Sequence, residues 1–213
     1  MRMKLILRKR RALLLLSFSL AICVLWGYEG ALRWHSEQLN ERLIQAVELS
    51  DYQNVNRLLT MGANPNSRWH KPRSFWHSMG DLWRKKPEGN EVLMGTCLMG
   101  ACQAGNTQIT ALLLDFGADI NAVDGDNASA LIYAVREQQK DCASLLILRG
   151  AYLDACDNAD QNVLIWTIMV NWPDICNLAL IHGANRHLKD SHGETPLDYA
   201  QKAGKLEFVR ILQ

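Results

Sequence analysis

The sequence predicts an all-α solenoid of about five helix-turn-helix repeats with extended fingers, preceded by an N-terminal transmembrane helix. Two observations predict this architecture: segments of the chain repeat at a 33-residue offset, and an uncharged apolar run follows a basic N-terminus. A tryptophan-rich stretch that interrupts the repeats is the third notable feature, and it suggests where the chain contacts a partner.

The N-terminal segment has the pattern of a signal anchor. Residues 1–11 contain six Lys or Arg and no acidic residue, and residues 12–28 are 17 residues without a charge. That length is at the short end of what spans a bilayer as a helix, and basic residues before an apolar run stay in the cytoplasm. We therefore predict a cytoplasmic leader at 1–11, a transmembrane helix at 12–28 and a helical connector at 29–38. A cleaved or lipidated signal peptide is the alternative, although no typical cleavage site follows.

This topology determines the expected location of the rest of the chain. The protein would be a single-pass protein of the inner (plasma) membrane, with its N-terminus in the cytoplasm. The repeats would then lie in the periplasm, or more generally outside the cytoplasm.

The repeats are visible as segments that align residue by residue. The segment TCLMGACQAGNTQITALLLDFGADINAVD begins at Thr96, and equivalent segments begin at Ser129, Asn162 and Thr195, with an earlier copy at Arg42. Each segment predicts a short apolar helix, a tight turn, a second Leu-rich helix and an extended turn. Glycines suited to closing the second helix follow it at Gly62, Gly117, Gly150 and Gly183. Leucines predicted to bury one repeat against the next include Leu113, Leu146 and Leu148.

These segments closely resemble the ankyrin repeat, whose pattern is roughly TPLHxAAxxGHxEIVxLLLxxGADVNAxD. The resemblance places repeats at 39–68, 91–124, 125–157, 158–190 and 191–213, with a Trp-rich basic insertion at 67–90. It implies a scaffold that binds proteins through its finger tips and its concave helix face, without a cofactor. The exposed finger residues that it implies are Val123, Gly125, Asp126, Ala128, Asn158, Ala159, Gln161, Lys189, Ser191, His192 and Glu194.

Several positions depart from the family pattern. The histidine that the family has in the first helix is replaced here by Met99, Ile132, Ile165 and Asp198. The polar contact made by that histidine (its polar tie) is therefore expected to be lost. Gln138 replaces the glycine between the helices of the middle repeat, where a left-handed turn would be strained. Asn171 precedes Trp172-Pro173 and is predicted to cap a helix as Thr195 does before Pro196.

Catalytic chemistry is not indicated. Cys97, Cys102, Cys142 and Cys176 occupy positions that the repeat fills with small or apolar residues, which favours buried free thiols over disulfides. His182, His187 and His192 match no common metal-ligand spacing, and no nucleotide-binding or nucleophile motif is present. We predict that the protein is not an enzyme; a metal-dependent hydrolase built on the histidines is a disfavoured hypothesis. We also expect no nucleic-acid ligand and no small-molecule substrate.

The insertion contains Trp69, Trp76 and Trp83, seven residues apart, with Arg84, Lys85 and Lys86 at its end. One interpretation is an amphipathic helix over about 73–85 whose tryptophans pack on the repeats. A second is an exposed docking surface for an unidentified protein, because Trp and Arg dominate interface hot spots. A third is an envelope-organising element in which the insertion contacts anionic lipid. The candidate partner-binding residues outside the insertion are Asp126, Asn158, Trp172 and His192.

Overall fold

The computed structural model describes residues 34–69 and 95–213, and these residues form ten α-helices joined by turns and short extended fingers. The helices form five antiparallel pairs that stack in chain order. The first pair is α1 (34–48) and α2 (Tyr52–Thr60). The other pairs are α3 (Cys97–Gln103) with α4 (Thr107–Asp115), α5 (Ala130–Arg136) with α6 (Lys140–Leu148), α7 (Val163–Met169) with α8 (Pro173–Ile181), and α9 (Pro196–Lys202) with α10 (Leu206–Leu212).

The first helix of the second to fifth pairs begins at the same capping position. The side chains of Thr96, Ser129, Asn162 and Thr195 each accept a hydrogen bond from the backbone N–H three residues later. Such a bond satisfies one of the N–H groups that a helix start leaves without a partner. At Thr195 the expected loss of a polar tie is wrong, because Asp198 accepts bonds from the Thr195 N–H at 2.8 Å and from its hydroxyl at 2.7 Å.

The turn inside each pair requires one residue in the left-handed region. Gly105 and Gly204 supply it in the second and fifth pairs, with φ of 70° and 65°. Gln138 supplies it in the third pair with φ of 58°, which confirms the strained turn predicted from the sequence. In the fourth pair Asn171 has this role, with φ of 62°. The prediction that Asn171 caps the next helix is therefore wrong: Trp172 is the N-cap, without a side-chain bond, and Pro173 is the first helical residue.

Replacing Gln138 with Gly is expected to raise the free energy of unfolding by about 0.5–1 kcal/mol. Glycine adopts the left-handed conformation without strain, which stabilises the folded state. Its greater conformational freedom in the unfolded chain offsets part of this gain. Urea unfolding followed by circular dichroism measures it. The matched control is Glu137→Gly, one residue earlier with φ of −85°, which should lower stability instead. Equal losses in both variants would contradict the prediction.

The core is one continuous stack along the repeats. Leu113 and Leu146 are fully buried as predicted, whereas Leu148 is 63% exposed and Ile147 is buried in its place. The helix pattern explains this correction, because position 148 lies at the outer end of α6, past the face that packs on the next pair. Lys202, Glu207 and Arg210 in the fifth helix pair are exposed, so this pair carries charged side chains on its surface.

Side-chain oxygen atoms join the successive turns that follow the second helices. Asn66 accepts a hydrogen bond from the Asp119 N–H at 2.7 Å, and Asn121 accepts one from the Tyr152 N–H at 2.8 Å. The series continues from Asp154 to the Asn185 N–H at 2.8 Å. Because each bond crosses to the next repeat, these side chains align the turns, and hence the fingers, along one edge of the stack.

The predicted leader and transmembrane helix (1–28) lie outside the described residues. Within 34–69 and 95–213, no helix is both long enough and apolar enough to cross a membrane. The predicted boundary between the connector (29–38) and the first repeat falls inside α1, whose Leu39 and Leu43 are buried in the stack.

Candidate interaction surface

The three later fingers, at about 123–129, 156–162 and 189–195, are short turns between one helix pair and the next. Val123 pairs with Ser129 across one of them, and Arg68 pairs with Thr96 across the finger that joins the first two pairs. Arg68 also donates from Nη1 to the carbonyl of Val123 at 2.9 Å. The first finger is therefore fastened to the second through a main-chain carbonyl.

An aspartate closes each of the three later fingers. One carboxylate oxygen of Asp124 accepts the N–H groups of Asp126 and Ala128, both at 2.9 Å. Asp157 and Asp190 accept the equivalent pairs of N–H groups, two and four residues onward, at 2.8–3.0 Å. Charge-assisted bonds of this kind give the finger one conformation before any partner binds.

The second oxygen of each aspartate binds an aromatic side chain nine residues later. Asp124 accepts from the Tyr133 hydroxyl at 2.7 Å, Asp157 from Trp166 Nε1 at 3.0 Å, and Asp190 from the Tyr199 hydroxyl at 2.6 Å. Each aromatic residue lies on the first helix of the next pair. The finger is thus tied to the following helix pair, and the tie recurs every 33 residues. These pairs were not predicted from the sequence, although an aspartate followed nine residues later by an aromatic residue is visible three times.

The hydrogen bond between Asp190 and Tyr199 shifts the pKa values of both side chains. The Tyr199 hydrogen bond, with the N–H groups of Glu194 and His192, lowers the pKa of Asp190, and the same carboxylate raises the pKa of Tyr199. A carboxyl whose pKa is lower in the folded state stabilises the fold above its unfolded pKa, roughly 4, and this contribution is lost as the pH falls through the folded pKa.

Replacing Tyr199 with Phe should therefore lower stability at neutral pH. The difference from the native protein should shrink as the pH falls through the unfolded pKa of aspartate, roughly 4, and then through the folded pKa of Asp190. Urea midpoints at a series of pH values measure it. Tyr152→Phe is the control, because that ring is exposed and its hydroxyl is remote from Asp190 in the repeat pattern. A difference that does not change with pH would rule out the carboxylate as the cause.

The second repeat has no aromatic residue of its own at this position, where Gly100 stands. The indole ring of Trp69, from the first finger, lies over Gly100 instead: a Cβ added there would be 2.2 Å from Trp69 Cζ2. The backbone N–H of Trp69 bonds the carbonyl of Gly95 at 3.1 Å, which holds the ring in position. Trp69 is half-buried, and this geometry supports the packing interpretation for this tryptophan.

Two of the predicted partner-binding residues lie in direct contact. Asn158 donates its backbone N–H to the Asp126 carbonyl at 3.0 Å and its side-chain amide to the Asp126 carboxylate at 3.4 Å. Ser191 donates its N–H to the carbonyl of Ala159 at 3.2 Å, and His192 beside it is exposed. Asp126 and Asn158 are exposed as well. The three finger tips therefore form one edge, which we call the finger edge (residues 125–127, 158–160 and 191–193).

The other predicted residues are distributed differently. Trp172 is half-buried against the core at the start of α8, away from the finger edge in the repeat. Ala128 was expected to be exposed and is fully buried, because its N–H points to the Asp124 carboxylate inside the finger. Val123 is half-buried in its pairing with Ser129. Five predicted residues lie outside the described part of the chain: Trp76, Trp83, Arg84, Lys85 and Lys86.

Within 34–69 and 95–213, no group of three or more His, Cys, Asp or Glu side chains is placed to hold a metal ion. A shallow cavity of about 300 Å³ lies between α1 and α2. It is lined by Arg42, Gln45, Ala46, Leu49, Asn54, Arg57, Leu58 and Met61. The lining combines two arginines with apolar side chains and contains no nucleophile with an adjacent base, so it has no arrangement for acid–base or covalent catalysis.

The stacked helix pairs and their aligned fingers place the fold in the class of helical-repeat solenoids. A family model described as ankyrin repeats, in three copies, matches residues 81–158, so ankyrin repeats are present in this chain. No curated protein matches the sequence. Ankyrin repeats generally mediate protein–protein interaction and are typically non-enzymatic. The resemblance to ankyrin repeats inferred from the sequence is therefore confirmed for residues 81–158.

Proposed function

We propose that the protein is a membrane-anchored, non-enzymatic scaffold that binds a protein partner along its finger edge. The main observation in support of this proposal is the direct contact between Asp126 and Asn158. This contact joins separate exposed finger tips into one continuous, rigid surface. A surface that is already ordered loses little conformational entropy on binding, which favours affinity.

The charge of the fingers indicates the chemistry of the partner. Residues 119–128 and 152–161 contain six aspartates and no Lys or Arg. Asp119, Asp126 and Asp160 are exposed. Such a surface attracts a positively charged segment and speeds its association. The partner would therefore present Lys or Arg to the finger edge, with an affinity that falls as salt concentration rises.

The proposed location rests on the N-terminal sequence. A transmembrane helix at 12–28 would leave only a few residues before α1, so the solenoid would lie close to the bilayer outside the cytoplasm. A fusion of alkaline phosphatase to the C-terminus of the full chain tests the topology, because that enzyme is active only after export. An inactive fusion present at normal levels would contradict the periplasmic location and leave the finger-edge proposal intact.

The binding proposal is tested by crosslinking in intact cells and mass spectrometry of what co-purifies. The finger variant is Asp126→Lys/Asn158→Ala, and the control is Glu137→Lys, which changes the net charge equally but lies at the end of α5. We expect one specific protein to be captured by the native chain and the control and to be lost from the finger variant. Equal capture by all three chains would contradict a finger-edge site.

The insertion is tested separately with Trp76→Ala/Trp83→Ala in the full chain. Loss of the captured protein in this variant alone would move the partner site to the insertion. Binding of the native chain to vesicles containing anionic phospholipid, weakened by salt and by the same substitutions, would instead favour the lipid-contacting alternative.

A further inference from the structure

Two thiols from neighbouring repeats lie beside the same buried hydroxyl group, that of Thr110, inside the stack. Cys102 on α3 and Cys142 on α6 are both fully buried. Both sulfur atoms lie 3.8 Å from the hydroxyl oxygen of Thr110, and Cys142 also contacts the Thr107 hydroxyl at 3.7 Å. The two cysteines belong to different helix pairs, so this cluster lies across a repeat interface.

The environment makes the two thiols chemically unequal. A hydrogen bond from Cys102, with smaller contributions from Thr107 and Thr110, lowers the pKa of Cys142 to about 6 against the opposing effect of burial. The same bond and burial raise the pKa of Cys102. Of the two thiols, Cys142 is therefore the more readily deprotonated, and the thiolate is the nucleophile in thiol–disulfide exchange.

The remaining described cysteines lack this arrangement. Burial raises the pKa of Cys97 to about 12, and burial also raises the pKa of Cys176 and of Cys156. None of the hydrogen bonds found for these three joins it to another thiol within the described residues. They serve as internal comparisons for the pair.

We propose that Cys102 and Cys142 form an oxidative modification site, at which a disulfide links the second helix pair to the third. The oxidant is a disulfide such as oxidised glutathione. The Cys142 thiolate attacks one sulfur of the oxidant, its S–S bond breaks, and one glutathione thiolate leaves and takes up a proton. Cys102 then loses its proton and attacks Cys142 Sγ, which forms the protein disulfide and releases the second glutathione. Two protein thiols are oxidised and one glutathione disulfide is reduced to two thiols.

Linking the pair would fasten two repeats that otherwise hold together by packing. A disulfide between residues 102 and 142 closes a loop of about 40 residues and restricts the unfolded chain. The inference goes beyond the proposed scaffold function and does not depend on the partner. An exported domain would meet an oxidising compartment in which such bonds persist.

The test uses the full-length chain, refolded from urea in glutathione buffer so that burial does not limit access. Free thiols are then alkylated and the protein is mapped by mass spectrometry. We expect a peptide pair linked through Cys102 and Cys142 with the loss of two hydrogen atoms, and alkylation at Cys97, Cys156 and Cys176. The Tm of the oxidised chain should exceed that of the reduced chain by about 5–10 °C.

Matched variants separate the pair from general oxidation. Cys102→Ser and Cys142→Ser should each abolish both the link and the gain in Tm, whereas Cys176→Ser should keep both. A folded chain in which Cys102 and Cys142 stay reduced in excess oxidised glutathione overturns the proposal. So does a link that joins either cysteine chiefly to another partner.

Discussion

Replacing Gly100 with Ala is expected to lower the free energy of unfolding by about 1–2 kcal/mol, although alanine ordinarily stabilises a helix interior by up to about 1 kcal/mol. The sign reverses because the new methyl group would be 2.2–2.3 Å from the Trp69 ring. The ring would have to leave its place on α3, and its packing would be lost with it. Chemical denaturation followed by circular dichroism measures the change.

The same substitution tests the cause when it is made in a chain that lacks the ring. Trp69→Ala should cost about 2–3 kcal/mol, less than a fully buried tryptophan, because the ring is only half-buried. In that background Gly100→Ala should become neutral or stabilising. Gly117→Ala is the control, since its φ of 83° is strained with or without Trp69, and it should cost the same in both backgrounds. A Gly100→Ala cost that persists without the indole would rule out the ring contact as its cause.

The second large effect concerns the aspartate that closes a finger. Asp157→Ala should lower stability by about 3 kcal/mol, because it removes the acceptor for the N–H groups of Ala159 and Gln161 and for Trp166 Nε1. Hydrogen bonds to charged groups contribute about 1.5–3 kcal/mol each but do not add fully. Trp166 also reports the change, since its indole fluorescence should shift when the carboxylate is removed.

Asp174→Ala provides the contrast for this prediction. Asp174 forms an exposed ion pair with Lys140 at 2.6 Å, and exposed pairs contribute at most about 1 kcal/mol. Asp157→Asn retains one acceptor oxygen and should lie between the two alanine variants. If Asp157→Ala were as mild as Asp174→Ala, the fingers would be held by backbone pairing and stacking, and the aspartate–aromatic tie would be a minor contribution.

The hydrogen bonds of the finger aspartates predict which part of the stack is weakened first when one aspartate is replaced. Each finger aspartate links one repeat to the next, so its loss weakens a single interface in a structure whose stability is a sum over neighbours. Hydrogen exchange should therefore rise first in the helices on either side of residue 157. A finger variant of this kind would also disturb the finger edge, which is why the binding test substitutes Asp126 and Asn158 at the exposed tips instead.

Features that depend on neighbours along the chain could be predicted from the amino-acid sequence alone. Capping residues such as Thr195, helix-closing glycines such as Gly117 and the left-handed turn at Gln138 were predictable, because each reflects the backbone geometry within one turn. The leucines repeated in the second helices likewise predicted the burial of Leu113, and the position of Cys102 in the repeat predicted a buried thiol. The finger tips were located from the resemblance to a known repeat.

Which residues from different repeats lie together depends on how the helix pairs stack, and this could not be predicted from the sequence. The exposure of Leu148 depends on where the stacked face of α6 ends, and the burial of Ala128 depends on how Asp124 folds its finger. That Trp69 takes the place of an aromatic side chain at Gly100 depends on contacts across 31 residues of chain. That Cys102 and Cys142 both lie beside the Thr110 hydroxyl depends on contacts between two repeats. A local pattern sets the conformation of each helix and turn, but the stacking of one repeat on the next sets these distances.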